Sequence, residues 1–318
     1  EVRPQNSNLV NHTLQRIRMS ILVLGTVALD SVKTPFGKRE QMLGGSAAHF
    51  AMAARLFNEV SLVAIVGEDF PVRYLDLLRK KGINLASLVR ARGKTFHWKG
   101  EYRDDLNVAL TLNTELGVLL DFKPKVALEQ RRIRNVFLAN VDPDLQRGLL
   151  KLMRAPRLVG LDSMNYWIKH KRRALLRLLK EVDIYVANDQ EARELAGEHN
   201  LIQCARCLQS KGPKIVIVKK GEHGVLLYSD KMIFSLPAYP TDKVIDPTGA
   251  GDSFAGGFMG YLSRVKKVTP KEIKKAAVYG TVVASFNVEG FGAEKTSLLN
   301  RRKLEARVKH FKQCVSLL

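Results

Sequence analysis

Asp246-Pro247-Thr248-Gly249-Ala250-Gly251-Asp252-Ser253-Phe254-Ala255-Gly256-Gly257-Phe258 decides how this chain reads. Asp-Pro opens a turn, two glycines flank one alanine, and small and apolar residues then recur at helix-compatible spacing to Leu262. The pattern predicts a loop that turns sharply into a helix N-terminus. The N–H groups of Gly249, Ala250 and Gly251 would have no partners within that helix, and the positive end of its dipole would lie behind them. Such an end is an anion site, and small residues let a phosphate come close to the backbone. Asp252 stands at the same place, where it can take a proton from an attacking hydroxyl. An anion hole plus a carboxylate is the minimum equipment for phosphoryl transfer to an alcohol. The plainer alternative is a Gly-rich loop with Asp252 as an ordinary helix cap.

Two other phosphate motifs fail. Gly93-Lys94-Thr95 looks like the tail of a P-loop, but Leu88 occupies the position where that motif needs its first glycine. The dinucleotide fingerprint fails because Phe254 stands three places after Gly251. The complete string resembles the signature of the ribokinase family, the phosphofructokinase-B type of carbohydrate and nucleoside kinases. The resemblance implies an α/β fold, a three-layer sandwich with a mostly parallel central sheet and a small β-sheet lid. It also implies ATP and Mg²⁺, K⁺ as a further cation, and catalysis by Asp252 with the amides of Gly249, Ala250 and Gly251.

The rest of the chain supplies matching pieces in the expected order. Residues 21–25 form a short apolar run ending in Gly25, a buried parallel strand. Asp30 follows, placed to meet a ligand beyond the strand's carboxyl end, where its two oxygens suit a pair of sugar hydroxyls. A turn-capping aspartate is the alternative. Gly44-Gly45-Ser46-Ala47-Ala48-His49 exposes backbone amides at a helix start and resembles the family's first signature, in which Gly-Gly lines the sugar site. The family often has Asn where His49 stands; a structural histidine is the alternative to an acceptor contact.

Residues 31–43 and 93–112 break the strand–helix rhythm, and by resemblance form the lid. Lid aromatics Phe96, Trp98 and Tyr102 would stack on a nucleobase or, more in keeping with relatives, pack against a second lid in a homodimer. A lid also excludes water from the transfer step. From residue 135 the α/β alternation resumes, and Asn140, Asp162 and Asn165 fall just beyond strand ends as acceptor-binding candidates. Asn188-Asp189-Gln190-Glu191 matches the family's Asn-x-x-Glu motif, with Asn188 at the nucleotide and Glu191 holding Mg²⁺ through water. A capping box has the same spacing. Lys220, Gly221 and Gly224 form a tight turn that borders the nucleotide in relatives. Asp246 and Thr248 correspond to ligands of a monovalent cation, and the Gly-rich loop near residues 289–293 to an adenine cover.

Bulk properties bound these readings. The chain has 318 residues, 46% of them apolar, enough for one large α/β domain or two small ones; the resemblance implies one domain at residues 19–318. Residues 1–18 are polar and basic, unlike a signal peptide, and read as a disordered or non-native leader with Met19 a candidate start. Asn11-His12-Thr13 matches a glycosylation acceptor with nothing else pointing to secretion. No apolar run approaches the ~20 residues of a membrane span. Three cysteines give no disulfide framework, and the Cys204/Cys207 pair on a helical stretch reads as partly buried thiols rather than a redox or metal motif. That fits a reduced, cytoplasmic enzyme. The net charge of +21 supports a rival class, a nucleic-acid-binding or regulatory protein on a kinase scaffold. The basic clusters, however, fall at helix starts or polar faces with no aromatic-interleaved strand, so nucleic acid is not the expected partner.

The expected activity is ATP-dependent phosphorylation of a hydroxymethyl group of a small sugar, with a nucleoside as the alternative acceptor. Because a helix N-terminus favours the ionised form, the Asp252 carboxyl is expected below the ordinary carboxylate range.

Overall fold

The computed structural model describes residues 19–316; the leader at residues 1–18 and its Asn11-His12-Thr13 motif lie outside them. The described chain opens on β1 (Ile21–Leu24), makes a hairpin of β2 (Ala28–Thr34) and β3 (Gly37–Gly44), and enters α1 (Ser46–Ala54). β4 (Val60–Val66), α2 (Val72–Lys80), β5 (Ile83–Arg90), β6 (His97–Glu101) and β7 (Leu110–Glu115) follow. The alternation resumes with β8 (Asn135–Leu138), α3 (Pro143–Leu152), β9 (Leu158–Asp162), α4 (Asn165–His170) and α5 (Arg172–Leu179). Next come β10 (Ile184–Asn188), α6 (Asp189–Ala196), α7 (Leu201–Gln209), β11 (Ile215–Lys219), β12 (Val225–Ser229) and β13 (Met232–Leu236). Four helices close the chain: α8 (Ala250–Arg264), α9 (Pro270–Asn287), α10 (Glu294–Leu298) and α11 (Arg301–Val315).

Nine strands form one sheet in the order β13-β12-β11-β10-β9-β8-β1-β4-β5. Neighbours from β5 to β11 run parallel, and β12 and β13 join antiparallel. The run Ile21-Leu22-Val23-Leu24 shows why the sheet needs cover on both faces. Ile21 and Val23 enter one apolar core with α1, α8, α9 and α11; Leu22 and Leu24 enter a second core with α3, α5, α6 and α7. Successive side chains leave opposite faces of a strand, so a continuous apolar run demands two helical layers. The result is the expected three-layer α/β sandwich.

A separate four-stranded sheet, in the order β3-β2-β6-β7, makes the lid. Its strands fall inside or beside the two expected segments. β5, for which the sequence reading placed no strand, is the edge of the large sheet. Asn84 and Ser87 interrupt its apolar pattern, and it has β4 alone as a partner, with a register shift between them. The basic clusters take the places expected of them. Arg131 and Arg132 sit in a 3₁₀ turn, the Lys169 cluster spans the α4–α5 junction, and Arg301 opens α11. Cys204 and Cys207 are free thiols on α7, the first buried.

The small residues that follow Asp252 serve packing. A Cβ on Gly256 would lie 2.4 Å from the Phe50 carbonyl oxygen, so glycine lets α8 press against α1. This contact sets the head of α8 beside the start of α1 at the carboxyl ends of the central strands, where open α/β sheets bind ligands.

Candidate active site

The head of α8 is the centre of the site. Gly249 caps the helix in the left-handed region, at φ 75°, and a Cβ there would meet the His49 ring at 2.4 Å. Glycine is required on both counts. The Ala250 N–H is taken up by the Pro247 carbonyl at 3.1 Å, contrary to the expectation of three free amides. Gly249, Gly251 and Asp252 keep N–H groups that no acceptor among the described residues takes up. The free amides at this turn are therefore those of Gly249, Gly251 and Asp252, with Ala250 removed from the set.

Asp252 lies in the first turn of α8, half-buried. Its carboxyl is pushed up to about 7, first by burial and then by the neighbouring Asp162 charge, with Lys219 pulling it back in part. This reverses the expectation of a depressed value. The helix end is a weaker influence than removal from water beside another carboxylate.

On the acceptor side, Asp30 is buried on β2, and its Oδ2 accepts the Gly45 N–H at 3.2 Å. Burial raises its carboxyl to about 7 against that hydrogen bond, with the Asp246 and Asp252 charges adding to the rise. Gly44 makes room for it, since a Cβ there would lie 1.8 Å from Oδ2. His49 is not placed as an acceptor contact. It is 1% exposed behind the Gly249 loop, and burial holds its imidazole below the ordinary value. Its Nδ1 pairs with Asn287 Oδ1 at 3.2 Å. The same oxygen accepts from Ser253 Oγ at 2.9 Å, and Asn287 Nδ2 donates to the Thr248 carbonyl at 2.8 Å. A buried polar network thus braces the loop from α1 and α9.

Asn140 Oδ1 accepts from Trp167 Nε1 at 3.0 Å and its Nδ2 points at Met164 Sδ, so its side chain serves α4. Asn165 opens α4, and its Oδ1 is buried without a partner. Asp162 is committed elsewhere: Oδ1 accepts the Ser163 N–H at 2.8 Å, and Oδ2 pairs with Lys219 Nζ at 2.9 Å. The lid contributes Tyr102, buried, whose hydroxyl accepts from Thr248 Oγ1 at 3.3 Å. Burial first, offset by that bond and reinforced by Asp246 and Asp30, raises the phenol to about 12. Tyr102 therefore packs against the Asp246–Thr248 loop of its own chain. Trp98 covers Gly100 within the lid and donates to Thr111 Oγ1 at 3.2 Å.

On the nucleotide side, Asn188 and Glu191 form the capping box of α6, each side chain bonded to the other's N–H at 2.7 Å. Glu191 is buried, and its carboxyl is raised by burial; Lys219 and the Asn188 N–H oppose this, while Asp162 and Asp252 add to it. Gly221 and Gly224 make the expected turn, at φ 53° and 81°, and the Lys220 N–H bonds to the Gly224 carbonyl at 2.8 Å. Lid residue Asn107 closes over this turn, donating to Glu222 Oε1 at 3.1 Å. A cleft of about 570 Å³ runs from Asn107 and Gly221 past Lys219 to Gly251, then along Phe254, Ala284 and Val288. Its mixture of apolar walls and glycine amides suits a nucleotide.

Asp246 is fully buried. Its oxygens accept the N–H groups of Thr248 at 2.9 Å and Gly292 at 3.0 Å. It forms no ion pair among the described residues, and these two backbone amides are the partners its oxygens have. More broadly, Asp162, Glu191 and Asp252 gather near one ammonium, Lys219, while Asp246 and Asp252 act on Asp30. Such an excess of carboxylates is a setting for cations, with Glu191 available to hold Mg²⁺ through water.

Sequence reasoning missed Lys219, Asn107 and Asn287. Lys219 carried a signal: a charge at the end of the apolar run Ile215-Val216-Ile217-Val218 has to face something. Asn107 and Asn287 carried none, since their roles arise from contacts with distant segments.

The pfkB family carbohydrate kinase profile matches residues 20–299. A cytidine kinase of Thermococcus kodakarensis is 33% identical over 252 residues, covering 77% of this chain and 89% of that protein. A nucleoside kinase of Methanothermobacter thermautotrophicus is 28% identical over 272 residues, 83% of this chain and 84% of that one. The crystal structure of the Methanocaldococcus jannaschii nucleoside kinase superposes with a TM-score of 0.74 at 22% identity, covering 92% and 98% of the two chains, which establishes the ribokinase-like fold. With the profile spanning nearly all described residues and the signature loop at the head of α8, this chain belongs to the pfkB family of carbohydrate kinases, phosphotransferases that act on hydroxyl groups.

Proposed function

We propose that the protein transfers the γ-phosphoryl group of ATP to the hydroxymethyl group of a small sugar unit. The observation that carries this is the meeting at the head of α8 of free amides and the Asp252 carboxyl, between buried Asp30 on one side and the nucleotide-sized cleft on the other. Asp30, held by the Gly45 N–H and given room by Gly44, orients the acceptor. Asp252 accepts the hydroxyl proton, and a carboxyl raised to about 7 matches the ideal for a base working near neutral pH. The amides of Gly249 and Gly251 stabilise the charge on the transferring group. Mg²⁺, held partly by Glu191, would neutralise phosphate charge, and Asp246 with Thr248 would hold a monovalent cation. Tyr102 and Asn107 bring the lid down on both halves of the site and exclude water.

The names of the relatives favour a specific second reading, in which the sugar unit is the ribose of a nucleoside. The test is ATP consumption with Mg²⁺ and K⁺ across pentoses, hexoses, polyols and nucleosides, with Asp252→Asn in parallel. Acceptor-dependent turnover that vanishes in the variant supports the proposal, and the acceptor class separates sugar from nucleoside. No ATP binding would refute it. Two finer points belong to the same proposal. Val108, Leu110 and Leu112 remain exposed on the lid and offer a surface for a second copy, which light scattering would detect. The three free thiols fit a reducing, cytoplasmic setting.

A further inference from the structure

The cleft holds one buried ammonium that neither the motifs nor the reading above uses. Lys219 ends β11, with Nζ 2.9 Å from Asp162 Oδ2. The same Nζ lies 2.9 Å from the position a Cβ on Gly251 would take, so it stands at the anion hole itself. Its side chain is 19% exposed, against 5% for Asp162, and the open part lines the cleft with Gly221, Gly224, Ala250 and Gly251. Asp162 therefore anchors the ammonium from behind while one side stays open to a ligand. An ammonium has three donors, and the single hydrogen bond to Asp162 leaves others for an oxyanion.

Resting on the kinase reading, we propose that Lys219 is the phosphate-binding cation of the site, contacting the terminal phosphoryl group, and that Asp162 is its positioning residue. In the transfer, the bond between the γ-phosphorus and the β,γ-bridging oxygen breaks, and a bond from the acceptor oxygen to that phosphorus forms. The hydroxyl proton passes to Asp252, and Lys219 keeps its own charge throughout. Burial works against that charge, but Asp162, Glu191 and Asp252 outweigh it and hold the ammonium well above its ordinary value. The arrangement also explains why a site crowded with carboxylates can admit a polyphosphate: Lys219 brings positive charge to the point where the added charge is greatest.

The experiment is titration calorimetry of the full chain with sodium tripolyphosphate, ADP and ATP, beside steady-state turnover. It compares wild type, Lys219→Met, Lys219→Arg, and the double variant Lys219→Met with Asp162→Asn. Lys219→Met is expected to lose about 10- to 100-fold in affinity for ATP and tripolyphosphate, the worth of a charge-assisted hydrogen bond, with a smaller loss for ADP. Lys219→Arg restores part of the ATP preference. The double variant removes both charges together, so it tolerates burial better than either single change, and it stays defective if Lys219 acts on phosphate. A double variant with wild-type preference for ATP over ADP and wild-type turnover overturns the proposal, because Lys219 would then serve only to neutralise Asp162. Equal ATP and ADP losses in Lys219→Met overturn it as well. Both of those results leave the kinase reading standing. Wild-type protein that binds neither tripolyphosphate nor ATP refutes the two together.

Discussion

Replacing Gly44 by alanine tests the acceptor side through geometry alone. Gly44 does not adopt the left-handed backbone region, so alanine meets no backbone strain. The added Cβ would lie 1.8 Å from Oδ2, 2.3 Å from Cγ and 2.9 Å from Cβ of Asp30. Carbon atoms in ordinary contact stand about 3.5 Å apart, so the carboxylate must retreat by roughly 1.5 Å. The Asp30 backbone cannot follow, because it is paired with Met42 on β3 and with Trp98 on β6. Relief comes from side-chain rotation, which breaks the 3.2 Å bond from the Gly45 N–H and carries the carboxylate away from its place. A misplacement of about 1 Å in a positioning group costs on the order of 100-fold in rate. The kcat/KM for the acceptor should therefore fall at least ~100-fold, while ATP affinity stays within about 2-fold and stability drops by about 1–3 kcal/mol from overpacking. The assay is steady-state turnover with acceptor varied at saturating ATP, calorimetric ATP binding, and a thermal melt, with Asp30→Asn as the matching loss of charge. A Gly44→Ala protein whose kcat/KM for the acceptor stays within about 3-fold of wild type would show that the Asp30 carboxylate does not set acceptor binding.

Asp252→Asn should lower kcat at least ~100-fold with ATP binding retained, as removal of a positioned base does; near-wild-type turnover would remove Asp252 from that role. Since Asp30 and Asp252 are each raised to about 7, kcat/KM should climb with pH through that value as both carboxylates ionise, and a flat profile between about pH 5 and 8 would contradict it. The same shift has a stability consequence. Asp30 rises from 3.8 when unfolded to about 7 when folded, so its contribution is whole below the unfolded value and is lost as pH rises through the folded one. Asp30→Asn should then raise Tm at about pH 8 but not at about pH 4, read by calorimetry. Asn287→Ala strips the bonds to Thr248, Ser253 and His49, and should lower kcat about 10-fold or more by loosening the α8 loop, with acceptor KM less affected.

Local chemistry explains which parts of the fold were legible. The continuous apolar run Ile21-Leu22-Val23-Leu24 can only be a strand covered on both faces, and the apolar run before Lys219 repeats the statement. The Gly-Ala-Gly-Asp turn specified its own backbone, because no other residue tolerates the Gly249 conformation with the His49 ring against it. β5 was illegible for the opposite reason: an edge strand with one partner satisfies its pairing without an apolar pattern. Residues 188–191 show a motif with two valid readings. The spacing that forms a capping box also brings a buried glutamate to the carboxyl ends of β9 and β11, so the helix cap and the proposed cation ligand use one arrangement.

The charge state of the base shows where sequence reading stops. A helix N-terminus stabilises a carboxylate by about 0.3–2 kcal/mol, and the sequence displays that influence openly. Moving a carboxyl from 3.8 to about 7 takes roughly 4 kcal/mol in the other direction. The larger effect comes from burial, and from Asp162, which lies ninety residues earlier in the chain on β9. The opposing charge of Lys219 comes from β11. None of these neighbours is near Asp252 in sequence, so no window around the motif could have contained the answer. The motif presents the carboxylate proposed to take the proton; the packing of distant strands sets the pH at which it could take it.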